Sequence, residues 1–183
     1  NEQLLISFEY FGTAILTAIP LILFGIPEVK PGFWSAAAAT TVLNAFAGWA
    51  WYTAFKREEA SLISPLRLLT PPLVILTGFF ILGETPSFGG IVGILLTIVG
   101  LWFLFDAEAH FVRVRLAEVL RRRGVLLGIY GAISFAVSLP FDKKVVVASS
   151  SVFAVVVVFA GIALFNLIIA LMRRRSNPLR LIT

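Results

Sequence analysis

Six long apolar runs, parted by short charged breaks, constrain this chain more than any other feature. They cover residues 4–26, 32–55, 61–82, 87–105, 124–141 and 152–172. Each holds 18 to 24 residues. At a helical rise of about 1.5 Å per residue, that length crosses the roughly 30 Å hydrocarbon of a bilayer. Strands are a poor alternative, although Val145–Val147 and Val155–Val158 are β-branched. The runs are too long for strands and do not alternate apolar with polar as a membrane barrel does. Helices satisfy their own backbone groups in lipid. The sequence therefore predicts an all-α, polytopic transmembrane bundle with six helices.

Composition agrees. Charged residues make up 14% of the 183 and hydrophobic residues 59%. A soluble domain carries about 25% charged residues, so this chain lacks the polar surface to cover a globule in water. It has no cysteine and a single histidine, His110, which excludes thiolate and histidine metal centres. No phosphate loop, Ser/His/Asp set or carboxylate cluster is present. The reading is of a non-enzyme without cofactor or metal. The chain opens on Asn-Glu-Gln and holds one methionine, Met172, so it reads as a piece of a longer protein.

The charges give an orientation. One side of the bundle, side A, receives the breaks at 56–60 and 106–123 and the segment after 172. It holds Lys56, Arg57, five arginines between 113 and 123, Arg173–Arg175 and Arg180, 11 of the 15 basic residues. Side B holds Lys30, Lys143 and Lys144, which is 3. Arg67 lies inside a run. The positive-inside rule assigns side A to the cytoplasm of a cell-membrane protein. The basic residues are topology signals, which argues against nucleic-acid binding. Residues 106–123 read as a basic loop or as an amphipathic helix on the membrane face.

Small residues recur every fourth position at Gly89, Gly93 and Thr97, and again at Gly124, Gly128 and Ala132. Such spacing lets helix backbones approach closely. Polar residues also line up. Thr40, Asn44, Gly48 and Tyr52 share one face of the second run, with Trp51 beside them. In the third run Arg67, Thr70, Pro71, Val74 and Thr77 share a face, and Pro71 and Pro72 each remove a backbone donor. In the fifth, Tyr130, Ser134 and Ser138 align. Polar groups inside a membrane helix face a partner helix or a cavity. Asn44, Trp51, Tyr52, Arg67, Thr70, Pro71, Ser134 and Ser138 are thus candidates to line a substrate pathway. The competing reading is packing, with Asn44 bonding a neighbouring helix, Arg67 snorkelling to the interface and the serines bonding back to their own helix. Glu9 reads as interfacial, and Ser87 as a cap for the fourth helix. Asp142-Lys143-Lys144 and Ser149–Ser151 read as the two ends of a side B loop.

Residues 51–84, WYTAFKREEASLISPLRLLTPPLVILTGFFILGE, carry a family resemblance. The Tyr-x-Ala-x-Lys turn at 52–56, Ala-Ser-x-x-x-Pro at 60–65, the Pro71 helix, the Gly83-Glu84 turn and the Gly-rich helix ending at Gly100 together resemble the EamA-type repeat of the drug/metabolite transporter superfamily. That resemblance implies ten helices, as two inverted five-helix repeats around a central cavity. Residues 1–105 would then hold helices two to five of the first repeat. The 106–123 segment would link them to 124–183, which would hold the first two helices of the second. It implies a secondary transporter of a small metabolite or drug, working by alternating access, with the bilayer and a small-molecule substrate as partners and a proton or ion as possible coupling species. Two other functions fit the same chain, a lipid-linked carrier translocase and a non-transporting scaffold or sensor. Family members usually keep both termini in the cytoplasm, which places the loop after helix five outside. The charge distribution places that loop inside.

Overall fold

A computed structural model describes residues 2–111 and 121–176, all helix and short connections, with no strand among the described residues. The helices are α1 (Glu2–Phe24), α2 (Phe33–Arg57), α3 (Ala60–Ile63), a 3₁₀ segment (Ser64–Leu69), α4 (Thr70–Leu82), α5 (Phe88–Phe111), α6 (Arg123–Val147) and α7 (Ser151–Ser176). With α3, the 3₁₀ segment and α4 taken as one broken span, these are the six expected helices. Among the described residues, four stretches are long and apolar enough to cross a bilayer: Leu4–Leu23, Ala60–Leu82, Arg123–Val147 and Ser151–Met172. Helix α2 is long enough but less apolar, because Thr40, Thr41, Asn44 and Tyr52 interrupt it.

Two boundaries differ from the sequence expectation, the loop expected at 142 and the break expected at 106. Asp142-Lys143-Lys144 does not begin a loop; α6 continues through it to Val147. Asp142 has a hydrogen-bonding partner inside the protein, Thr40, and Lys144 lies 5.5 Å from the Phe141 ring centroid, so neither forces the backbone out into water. The connection shrinks to residues 148–150. Ser150 Oγ accepts the Phe153 N–H and starts α7. The third run is a broken helix, as its prolines suggest. One short helical turn gives way to a 3₁₀ segment with Pro65 in its first turn, and Pro71 and Pro72 begin a new helix. Proline is tolerated there because first-turn N–H groups have no intrahelical acceptor. At the other end of α4, Gly83 adopts φ 70°, and its N–H returns to Phe79 O. Ser87 accepts the Gly90 N–H at 3.1 Å and caps α5 as expected. Helix α5 runs on to Phe111, beyond the expected break at 106. Residues 112–120 of the basic segment lie outside the described residues.

Two compact units are present. The first takes residues 1–45 and 141–183, so it holds α1, the start of α2, the end of α6 and α7. Its core is Phe33, Val145, Val158 and Ile162, filled out by Ala36, Ala37, Ala45 and Ala154. Alanines let the helices approach, and Gly161 goes further: a Cβ there would lie 2.9 Å from the Thr41 side chain. Tyr10 meets Phe159 edge-on at 5.1 Å and ties α1 to α7. Phe33 stacks on Phe153 at 5.4 Å.

The second unit spans residues 46–140. Its core is Trp51, Ala54, Ile63, Leu66, Val125 and Ala132. Here the expected small-residue stripe of α6 works as a packing surface. A Cβ on Gly124 would run into the Glu58 side chain, and one on Gly128 would reach 2.7 Å from Leu66 Cδ1; beside the stripe, one on Gly131 would reach 3.0 Å from Trp51 Nε1. The second stripe behaves differently, since a Cβ on Gly89 or Gly93 would meet nothing within 4 Å.

Candidate functional site

The first unit places three polar side chains together. Thr40 is fully buried, so its hydroxyl needs partners. It donates to Asp142 Oδ1 across the α2–α6 contact and accepts from Asn44 Nδ2 at 2.9 Å. The same Asn44 nitrogen donates to the Thr40 carbonyl at 3.0 Å, one helical turn back. The result is a chain of donors, amide to hydroxyl to carboxylate, ending on a half-buried acid. A carboxylate within a membrane span costs about 3 kcal/mol to insert at the centre of the bilayer, so one that is kept marks a site or a structural pair. Asp142 was missed in the sequence because it reads as the edge of a loop. One signal pointed to it: Ser134, Ser138 and Asp142 are spaced by four and continue one helix stripe.

The second unit gathers other candidates. Arg67, in the last turn of the 3₁₀ segment, lies exposed with its guanidinium carbon 5.1 Å from the Trp51 ring centroid and 5.7 Å from Phe55. Trp51 is itself buried against Gly131. Tyr52 is half-buried and takes Lys56 over its ring at 5.4 Å. Pro71 is exposed and Thr70 partly so, at the start of α4. Ser134 and Ser138 are buried on α6, and Ser138 donates to Phe135 O at 2.8 Å. Thr77, on the same face of the broken span as Thr70, donates to Ala136 O at 2.8 Å and links α4 to α6. Arg122 pairs with Glu58 at 3.2 Å at the end of α2. Trp51 and Arg67 are thus brought together. Asn44 instead joins Asp142 in the first unit. Among the described residues, no group of three or more His, Asp or Glu side chains is placed to hold a metal.

Long apolar helices with polar groups buried along their contacts define a polytopic helical membrane protein. The EamA-like transporter family model matches residues 4–106, more than half of the chain, and the chain belongs to that family. Comparison with curated proteins and with solved structures finds no match.

Proposed function

We propose that this chain is the α1–α7 portion of a secondary transporter that moves a small organic solute by alternating access. The observation that carries this reading is the family membership over residues 4–106. Two polar stripes support it: Thr40, Asn44 and Tyr52 on α2, and Ser134, Ser138 and Asp142 on α6. In this reading Asn44, Trp51, Tyr52, Thr70, Pro71, Ser134 and Ser138 contribute to the solute pathway. Residues 1–105 and 124–183 belong to two successive repeats of inverted topology. The test is uptake by vesicles reconstituted with the full-length protein. A panel of labelled amino acids, nucleobases and organic amines should reveal at least one solute taken up saturably and exchanged by counterflow. Uptake no greater than in empty vesicles across the panel would remove the reading.

One observation favours a second reading, a translocase for a lipid-linked carrier. Arg67 is exposed and is held on two aromatic faces, a geometry suited to an anionic headgroup. If so, Arg67→Ala should weaken binding to vesicles containing phosphatidylglycerol and leave binding to neutral vesicles unchanged. Equal binding by the variant and the parent would set this reading aside.

A further inference from the structure

We propose that Asp142 is a proton-exchange site, taking up and returning one proton from side B, with Thr40 and Asn44 as the positioning residues that hold its carboxyl group. The inference concerns a binding site for a proton. Its consequence for coupling rests on the transport reading above.

Position comes first. Helix α6 spans residues 123–147, so its midpoint lies near residue 135 and Asp142 lies about 10 Å further along the axis. The hydrocarbon half-thickness is about 15 Å. The carboxyl group therefore lies toward the side B end of the span, about one turn or less from the edge of the apolar layer, close enough for exchange with water there. Lys143 and Lys144 are exposed beside it and mark that edge.

The surroundings come next. The group that hydrogen-bonds the carboxylate, Thr40, is neutral, and so is Asn44, which donates to that hydroxyl from behind. Helix α2 brings no titratable group to this unit between Phe33 and Ala45, and α7 brings none between Ser151 and Met172. Helix α1 carries Glu9 and Tyr10, with the Tyr10 ring engaged by Phe159. The connection before α2 carries Glu28 and Lys30, and the Lys30 N–H is held by Ala148 O at 2.8 Å. On α6 itself, Lys144 lies over Phe141. An acid in the apolar layer whose hydrogen-bond partners are neutral changes its own charge most readily by binding a proton.

Thr40 makes the exchange compatible with the fold. Its hydroxyl donates to the carboxylate and accepts from Asn44. A hydroxyl has one donor and two acceptor positions. When a proton from side B water adds to a carboxylate oxygen, that O–H can donate to Thr40 Oγ or outward to water. No covalent bond in the protein breaks, and the proton returns to the same water on release.

Infrared difference spectroscopy of the purified protein in lipid vesicles, titrated from acid to alkaline buffer, tests this directly. A protonated-carboxyl band should appear on acidification in the parent and be lost in Asp142→Asn. Thr40→Val should keep the band but shift its midpoint, an effect that a mere packing contact would not produce. Tryptophan fluorescence and monodispersity in detergent establish that each variant is folded. A carboxyl band unchanged in folded Asp142→Asn, or a group that keeps one charge state across the titration, would overturn the proposal. Failure of the parent to take up any solute would remove the transport reading and leave this titration standing.

Discussion

Gly131 sits directly under the Trp51 indole. A Cβ there would lie 3.0 to 3.1 Å from three atoms of the ring, Nε1, Cδ1 and Cε2. A rigid ring that is itself buried has nowhere to yield, so Gly131→Ala is an overpacking change, with a cost of about 1–3 kcal/mol. Trp51 also provides the face on which Arg67 lies, so the same substitution should loosen that cation–π contact. Gly93→Ala is the matched control. Nothing lies within 4 Å of its would-be Cβ, and alanine is the better helix former by about 1 kcal/mol. Thermal unfolding in detergent should therefore fall for Gly131→Ala and hold or rise for Gly93→Ala. Equal losses in both would mean that α6 does not pack on Trp51 at Gly131. The two glycine stripes are indistinguishable by spacing. What separates them is the neighbour each one meets, which a pattern of four cannot supply.

The broken span Ala60–Leu82 carries its own prediction. Pro71 and Pro72 stand in the first turn of α4, where their missing N–H groups cost little. Replacing both with alanine should change stability by no more than about 1 kcal/mol in thermal unfolding. If the prolines instead interrupted a helix that would otherwise be continuous, their removal would stabilise it by about 3 kcal/mol. The cap on α7 gives a second prediction. Ser150 Oγ accepts the Phe153 N–H at 3.2 Å, so Ser150→Ala should cost about 1 kcal/mol in the same measurement. These local details bear on what a sequence discloses. The number of helices was legible because a bilayer sets their length. The Ser87 cap was legible because capping is local chemistry. The proline break was legible in the chain, and the structure supplies its form, a 3₁₀ segment followed by a helix with both prolines in its first turn. Asp142 was misplaced for a different reason. Its partner Thr40 lies 102 residues away in the chain, and no local pattern distinguishes an acid facing water from an acid facing a distant hydroxyl. Of the donor chain ending on Asp142, the sequence singled out Asn44 and its stripe and left the carboxylate in a loop.

The orientation of the bundle is where the charge distribution and the family's usual arrangement disagree, and the chain is well suited to settle it. Eleven basic residues on side A against three on side B is a strong bias, because lysines and arginines near span ends resist translocation. In a cytoplasmic side A, the Arg122–Glu58 pair joins the end of α2 to the start of α6 at the inner face. Asp142, near the opposite end of α6, then faces the exterior and would exchange its proton there. In the inverted arrangement the same carboxylate would answer to cytoplasmic pH, so any coupling would run in the opposite direction. The sequence contains no cysteine, so single cysteines can be introduced without background labelling. Glu28 and Glu59 suit the purpose: both are exposed, both lie in connections, and they belong to opposite sides. In intact cells, Glu28→Cys should react with a membrane-impermeant maleimide, and Glu59→Cys should react only after permeabilisation. The reverse pattern would invert the bundle. It would also show that the arginines between 113 and 123 are held outside against the positive-inside bias, which would require helices beyond α1–α7 to set the topology.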